Sequence, residues 1–302
     1  MADQLDRVLE RLAAELEPVR GEPRELEGGI TNRNFRVTLG ERECVARLPG
    51  RDTDLLGIDR AAERLANDAA ARLGLAPGVV AALEECLVTE YVACSSLEPA
   101  DVAGEVETIA AALRAFHDSD VLLPARFDVA ELLRDYARIV RLRGGELPEQ
   151  YGEAQRAAER IVHAAPPGEP RPCHNDLLPG NLIRAHDGRV LIVDWEYAGM
   201  GDPRFDLGNL SVNNEFDEAA DERLLRAYYG EEPDDARRAA LKLMRVLSDA
   251  REAAWAVVQA HISELDFDFD GYAGKHFLRL HEAVAQPQFE QWLASAAPGG
   301  GA

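Results

Sequence analysis

The segment from residue 171 to residue 199 constrains the fold of this chain more than any other feature. It begins with a polar loop at 173–181. Two apolar runs follow, at 181–185 and 189–193, and an Asp-Gly pair at 187–188 separates them. An Asp-Gly pair between two apolar runs is a strong signal of a β-hairpin. Because the second run ends at Asp194, the segment predicts one compact scaffold that brings Asp176, Asn181 and Asp194 together.

These three residues have an order and a first spacing that suit phosphoryl transfer. Protein kinases use an Asp, an Asn five residues later and a metal-binding Asp after a hairpin. The reaction needs a carboxylate to accept the proton of the attacking hydroxyl, and hard oxygen ligands to hold Mg²⁺. We therefore predict that Asp176, with His174 beside it, forms the catalytic group and that Asn181 and Asp194 bind magnesium. A polar loop that only caps a hairpin is the simpler alternative.

Composition and length are those of a globular protein with room for two cores. The chain has 302 residues, of which 46% are hydrophobic and 29% are charged. No segment reaches the ~20 apolar residues that a membrane span requires. The first residues are acidic and polar, unlike a signal peptide. The cysteines lack metal-binding spacing, and Cys173 is expected to be a small buried thiol. These features predict a cytoplasmic protein.

The net charge of −22 arises from 33 basic and 55 acidic residues. Such a surface repels nucleic acid and anionic membranes, so we expect neither as a partner. Two interpretations of the charge stay open, attraction of a cationic substrate and a solvated, salt-adapted surface. The second is favoured because the acidic residues are spread along the whole chain. The sequence does not indicate the oligomeric state.

The first ninety residues predict a small antiparallel sheet of five strands. A helical pattern at 2–17 is followed by strand patterns on both sides of the turn at 28–32, and then at 44–48, 79–82 and 86–90. Gly29, Thr31 and Asn32 in that turn are predicted to bring backbone N–H groups near phosphates. A simple turn between strands is the commoner meaning of a Gly-Gly pair.

The choice of the phosphate-binding cation follows from the scarcity of lysine. A kinase sheet needs a cation on its third strand, usually Lys, but the only lysines here are Lys242 and Lys275. Arg47 is therefore the candidate. Glu63, in the helical pattern at 58–73, is its expected partner. Alternatively, Arg47 is only an exposed residue of the strand, and Glu63 is only a solvated residue of the helix.

The strand pattern is lost from Glu90 to Ser95, and we interpret this segment as a hinge between two lobes whose backbone pairs with adenine. Glu90 and Val92 are the residues assigned to nucleotide binding. Helical patterns then cover 102–118, 128–143, 149–164, 204–214, 218–229, 234–261 and 272–293. The prediction is an α+β, two-lobed, protein kinase-like fold. Residues 1–92 form a small N-lobe with the five-stranded antiparallel sheet, and residues 93–302 form a larger, mostly helical C-lobe.

Five motifs together resemble the choline/ethanolamine kinase family, which belongs to the aminoglycoside phosphotransferase-like branch of this fold. They are Gly28-Gly-Ile-Thr-Asn-Arg-Asn-Phe35, Val45-Ala-Arg-Leu-Pro-Gly50, Cys173-His-Asn-Asp-Leu-Leu-Pro-Gly-Asn181, Val193-Asp-Trp-Glu-Tyr-Ala-Gly199 and Arg204-Phe-Asp-Leu-Gly-Asn209. The similarity extends from about residue 26 to residue 289 and is greatest to bacterial choline kinases. It implies ATP as co-substrate, Mg²⁺ as cofactor and a small alcohol as acceptor. Choline is the first choice, and ethanolamine, thiamine and aminoglycosides are the alternatives.

In that family aromatic side chains surround the ammonium head of the alcohol. The resemblance assigns this role to Tyr197, Trp255 and Tyr272, although each ring could instead belong to the core. A quaternary ammonium has no N–H to donate, so ring faces and carboxylates must bind it. Eukaryotic choline kinases have a second Trp one helical turn before the first, where this chain has Glu252. That carboxylate could complement the cation, or the pocket could fit another alcohol.

The resemblance also assigns Trp195 to packing. An alternative of another class is a catalytically silent nucleotide-binding protein of the same fold. We expect such a protein to lack Asp176, Asn181 or Asp194, and none of the three is missing.

Overall fold

The computed structural model describes residues 2–26, 32–50, 53–83 and 85–297. Its strands are β1 (Val19–Leu26), β2 (Arg33–Leu39), β3 (Arg42–Leu48), β4 (Val79–Leu83), β5 (Cys86–Glu90), β6 (Cys94–Ser96), β7 (Arg171–Cys173), β8 (Leu182–Ala185), β9 (Val190–Ile192) and β10 (Gly199–Gly201). Its helices are α1 (Ala2–Glu15), α2 (Arg60–Arg72), α3 (Pro99–Gly104), α4 (Val106–His117), α5 (Val129–Leu142), α6 (Tyr151–Ala164), α7 (Pro203–Asn213), α8 (Glu218–Tyr229), α9 (Asp235–Ile262), α10 (Phe269–Ala285) and α11 (Pro287–Ser295).

The first five strands form one antiparallel sheet in the order β1-β2-β3-β5-β4. This confirms the predicted five-stranded sheet. Helix α1 covers one face, where Val8 and Leu12 are fully buried against Phe35 and Val88. Strand β1 begins at Val19, earlier than the sequence pattern indicated. It is an edge strand with a register shift near Pro23, which is where a sheet tolerates proline.

The segment after the sheet is more ordered than the sequence pattern suggested. Strand β6 pairs with β8, so the predicted β8–β9 hairpin is part of a three-stranded sheet in the order β6-β8-β9. The prediction that all regular strand structure is lost from Glu90 to Ser95 was therefore wrong for its last two residues. These two residues pair with Ala185 and Arg184, which lie far along the chain, and three residues are too few for a visible alternation.

The remainder is mostly helical, as predicted, with two divisions that the patterns did not show. The pattern at 102–118 contains two helices, α3 and α4, which meet at Glu105. The pattern at 272–293 also contains two, α10 and α11. The break lies at Gln286 before Pro287, because proline has no N–H to continue a helix. Helix α10 begins earlier than predicted, with the Asp268 side chain accepting from the Gly271 N–H.

Helix α9 is the centre of the helical region. Its residues from Ala239 to Gln259 are almost all buried, as expected for a helix that other helices surround. Helix α7 approaches it closely at Gly208, where an added Cβ would lie 2.4 Å from the Met244 Cβ. Within the described ranges, no helix is both long enough and apolar enough to cross a membrane.

The contact between α7 and α9 yields a first prediction. The change Gly208→Ala should lower the free energy of unfolding by ~1–3 kcal/mol, because the methyl group meets the α9 backbone and Met244. Gly274→Ala is the matched control, since Gly274 lies in α10 with no neighbour within 4 Å of an added Cβ. The control should raise the free energy of unfolding by ~0.5–1 kcal/mol. Urea denaturation measures both, and equal effects would contradict the close contact.

Candidate active site

A cavity of about 530 Å³ lies between the five-stranded sheet and the helical region. Ten of the side chains that the sequence singled out line it, namely Arg47, Glu90, Val92, Asp176, Asn181, Asp194, Tyr197, Glu252, Trp255 and Tyr272. Asn32, Glu63 and His174 lie behind this lining. Gly29 and Thr31 lie outside the described residues. One site therefore brings together residues from the sheet, the catalytic loop, the hairpin and two helices.

The loop that carries Asp176 is anchored from below by the carboxylate of Asp206 on α7. Asp206 is fully buried and accepts from the backbone N–H groups of His174 at 2.8 Å and Asn175 at 2.7 Å. It also contacts His117 Nε2 at 2.9 Å. Burial opposes the charge of Asp206, but the hydrogen bonds from His117 and the loop keep its pKa below the usual value. This anchor explains how a polar loop can be buried.

The carboxylate of Asp176 is held through both oxygens. Arg251 Nη1 donates to Oδ1 at 2.9 Å, and Asn181 Nδ2 donates to Oδ2 at 3.1 Å. Burial raises the pKa of Asp176 to about 8, while Arg251 pulls it down and Glu252 pushes it up. The pKa of Asp176 thus lies near neutral pH, the range in which a proton-transfer group is most effective.

The structure places His174 behind Asp176 and outside the cavity lining. Its ring is fully buried, with Nε2 3.0 Å from the Val193 carbonyl oxygen, and Nδ1 accepts from the Asp176 N–H at 3.2 Å. It also packs against Trp195, at 4.6 Å between ring centroids. Burial lowers the pKa of His174. With both nitrogens engaged by the backbone, this side chain joins the loop to the hairpin.

Asn181 and Asp194 offer oxygen ligands of the kind that magnesium binds. Asp194 follows β9 in a left-handed conformation, with φ of 63°, and its neighbour Val193 donates to the Asn181 carbonyl at 2.9 Å. Because the Asn181 Nδ2 is engaged by Asp176, the amide oxygen remains as an acceptor. A carboxylate and an amide oxygen on one cavity wall fit Mg²⁺, which usually keeps water and phosphate as further ligands.

Arg47 connects the sheet to α2 and to the hairpin. Its guanidinium pairs with Glu63 on α2 and with Asp194. Glu63 also accepts from Arg60, which pairs in turn with Glu196. Asn32 donates to Glu196 at 3.0 Å and so joins this network. Sequence reasoning missed Arg60 and Glu196, although Glu196 lies inside the Val193–Gly199 motif.

The other end of the cavity carries the aromatic residues. Trp255 and Tyr272 meet edge to face, with 5.8 Å between ring centroids, and the Trp255 Nε1 donates to the Tyr197 hydroxyl at 2.9 Å. Phe267 and Phe269 pack behind this pair. Neither was assigned to the site from the sequence.

Arg251 is the most important residue that sequence reasoning missed. It is fully buried, its guanidinium lies 4.2 Å from the ring centroid of Tyr197, and its Nη1 contacts both Asp176 and Glu252. Tyr272 donates its hydroxyl to the second Glu252 oxygen at 3.0 Å. A charged pair, Arg251-Glu252, followed by the apolar residues 253–258 of the same helix was the signal that could have identified it.

A five-stranded sheet above a helical region, with an Asp-Asn-Asp set and an Arg–Glu pair on one cavity, defines a kinase-like phosphotransferase. Residues 22–241 match the family described as APH, phosphotransferase enzyme family. The chain belongs to that family, and within it to the choline/ethanolamine kinase group.

The relatives support this assignment over most of the chain. The solved structure of a choline/ethanolamine kinase family protein from Mesorhizobium loti is 31% identical, with a TM-score of 0.80, over 97% of this chain and 99% of that one. Protein LicA from Haemophilus influenzae is 26% identical over 67% of this chain. Ethanolamine kinase from Drosophila melanogaster is 28% identical over 83% of it. The matches span 61% and 55% of the lengths of these two curated relatives.

The buried Asp176 carboxyl yields a prediction about stability and pH. Its folded-state pKa is raised to about 8, so the folded protein keeps a proton that the unfolded chain releases above ~4. The Asp176 contribution to stability therefore falls as pH rises from ~4 to ~8. The unfolding free energy of Asp176→Asn relative to the unchanged protein should rise over this window, by up to ~1.4 kcal/mol per pH unit.

Urea denaturation from pH 5 to pH 9 measures this difference. Asp187→Asn is the control, because Asp187 lies in an exposed turn where hydrogen bonding from Arg189 lowers its pKa. A group with a lowered pKa contributes stability that is lost only as pH falls through that pKa, so the control curve should run parallel to the unchanged protein above pH ~5. A parallel curve for Asp176→Asn as well would contradict the raised pKa.

Proposed function

We propose that the protein transfers the γ-phosphate of ATP to the hydroxyl of a small cationic alcohol, choline or ethanolamine. The observation that carries the proposal is the common cavity, in which a carboxylate held through both oxygens lies between oxygen ligands for Mg²⁺ and a pocket of aromatic rings and a carboxylate. Family membership and the names of the relatives agree with this chemistry.

The nucleotide would occupy the end of the cavity nearest the sheet. Glu90 and Val92 line that end, where backbone groups of this segment would pair with adenine; the Glu90 N–H itself donates to the Gly78 carbonyl at 2.8 Å. Arg47, oriented by Glu63, would bind the phosphates. The proposed boundary between an N-lobe of residues 1–92 and a C-lobe of residues 93–302 fits this arrangement, since β6 begins at Cys94 and pairs with the hairpin.

Asp176 would accept the proton of the alcohol as its hydroxyl attacks the γ-phosphate. Arg251 and Asn181 hold the carboxylate in position, so it is already oriented before the reaction begins. His174 is a positioning residue in this scheme. A magnesium ion bound by Asn181 and Asp194 would neutralise phosphate charge.

The cationic head of the alcohol would lie against Trp255, Tyr272 and Tyr197. Ring faces attract a cation with ~0.5–2 kcal/mol each when the site is desolvated, and Trp255 and Tyr197 are both buried. The carboxylate of Glu252 adds a negative charge on the same wall. This combination favours a compact cationic alcohol over a neutral one.

ATP consumption with choline, ethanolamine, thiamine and an aminoglycoside as acceptors tests the proposal directly. Turnover should be found with at least one of the first two and should need Mg²⁺. Asp176→Asn should lower kcat by ~10²–10⁴-fold with little change in ATP affinity, because the side chain meets the hydroxyl and not the phosphates. ATP binding without turnover on every acceptor would favour the silent nucleotide-binding alternative.

The phosphate end of the site yields a separate prediction. Arg47→Ala should raise the KM for ATP and lower kcat, and Arg47→Lys should restore only part of the loss, because Lys lacks the planar fork of Arg. Arg42→Ala, on the exposed start of the same strand, is the control and should leave both constants unchanged. Normal ATP kinetics in Arg47→Ala would show that another cation binds the phosphates.

Asp194→Ala tests the metal site. The change should weaken Mg²⁺-dependent binding of ATP, measured by calorimetry, because it removes the one carboxylate of the ligand pair. Binding of ATP without Mg²⁺ is the internal control and should weaken less. Equal Mg²⁺-ATP affinity in the variant and the unchanged protein would remove Asp194 from the metal site.

A further inference from the structure

Two carboxylates face the acceptor end of the cavity, and one guanidinium joins them. Arg251 Nη1 donates to Asp176 Oδ1 at 2.9 Å and to Glu252 Oε1 at 2.8 Å. All three side chains are at least nine-tenths buried. The base and the second carboxylate are therefore fixed relative to each other, and their nearest oxygens are less than about 6 Å apart, the sum of two hydrogen-bond lengths.

This spacing favours a short acceptor that meets both groups. The hydroxyl must reach Asp176 to lose its proton, so a head group that also meets Glu252 lies close to that hydroxyl. A spacer of two carbon atoms between oxygen and nitrogen is long enough to meet both carboxylates at once, and a longer spacer is not required.

The partners of Glu252 also bear on the chemistry of that cation. Its Oε1 accepts from Arg251 and its Oε2 from the Tyr272 hydroxyl at 3.0 Å, and each carboxylate oxygen can accept more than one hydrogen bond. An ammonium with an N–H can donate to this carboxylate. A quaternary ammonium carries the charge without a donor, and its methyl groups would lie against the polar oxygens.

We infer that Glu252, held by Arg251 and Tyr272, is the residue that selects the head group, and that it favours two-carbon amino alcohols with at least one N–H over quaternary ones. The inference rests on the proposed transfer of phosphate to a small cationic alcohol and specifies which members of that class are preferred. The aromatic rings bind the carbon skeleton and the charge, and Glu252 distinguishes the number of N–H groups.

A methylation series tests the inference. Initial rates with ethanolamine, N-methylethanolamine, N,N-dimethylethanolamine and choline keep the spacer and the charge constant and remove N–H groups one at a time. We expect kcat/KM to fall at least tenfold from N,N-dimethylethanolamine to choline, the step at which the last charge-assisted hydrogen bond is lost. Glu252→Gln keeps the size of the side chain, removes its charge, and should reduce that ratio to within about threefold of unity.

A control variant tests whether the effect comes from Glu252 itself or from the overall negative charge of the protein. Asp270→Asn, in the exposed first turn of α10, removes one negative charge outside the cavity lining and should leave the ratio unchanged. Glu252→Asp provides a second test in case Glu252→Gln does not fold. Because its carboxylate is one methylene shorter, Glu252→Asp should raise kcat/KM for 3-amino-1-propanol relative to ethanolamine.

The outcomes distinguish failure of the inference from failure of the proposed function. Turnover of choline equal to or faster than that of N,N-dimethylethanolamine would overturn the inference and leave the proposed function intact. A preference for N–H that is unchanged in Glu252→Gln would also overturn it, since another group would then select the head. Absence of turnover with every member of the series and with the acceptor panel would overturn the proposed function itself.

Discussion

The buried carboxylate of Asp206 is the interaction on which the rest of the site depends. A charge that is removed from water is costly unless it is hydrogen-bonded, and here two backbone N–H groups of the catalytic loop and His117 satisfy it. The same α7 helix supplies Asn209, whose side chain accepts from the Leu177 N–H at 2.5 Å. Helix α7 in turn is held against α9 by the close approach at Gly208. The position of Asp176 thus depends on α7, a helix that contributes no residue to the cavity lining.

Both catalytic-loop and hairpin carboxylates have arginine partners in this arrangement. Asp176 pairs with Arg251, and Asp194 pairs with Arg47. In a partly buried cavity such pairing reduces the cost of placing several acidic groups together. A bound nucleotide and metal ion would compete for Arg47 and Asp194, whereas Arg251 stays buried against Tyr197 and Glu252. The two pairs therefore differ in exposure, since the side chains of Arg47 and Asp194 are 11% and 22% exposed and those of Arg251 and Asp176 are 2% and 9% exposed.

Much of the fold and the site could be predicted because the relevant signals are local. The Asp-Gly turn and its flanking apolar runs predicted the hairpin, and the absence of lysine before residue 242 directed attention to Arg47. Arg251 could not be predicted in this way, since its burial depends on α9 being surrounded by other helices. The pairing of β6 with β8 was missed for a similar reason, because its partner is almost ninety residues away in the sequence. The motif around Gly29 and Thr31 lies outside the described residues, so its role stays a prediction.

The route of the chain between the sheet and the helical region has a mechanical consequence. The N–H of Tyr91 donates to the Glu43 carbonyl in the sheet, and the carbonyl of Ala93 accepts from His186 in the loop between β8 and β9. Val92 is the residue between these two attachments, and it lines the cavity. Along this connection, a rotation of the sheet over the helices would have its pivot at one residue. A small change of backbone angle at Val92 would therefore produce a larger change in the distance between Arg47 in the sheet and Asp194 after the hairpin.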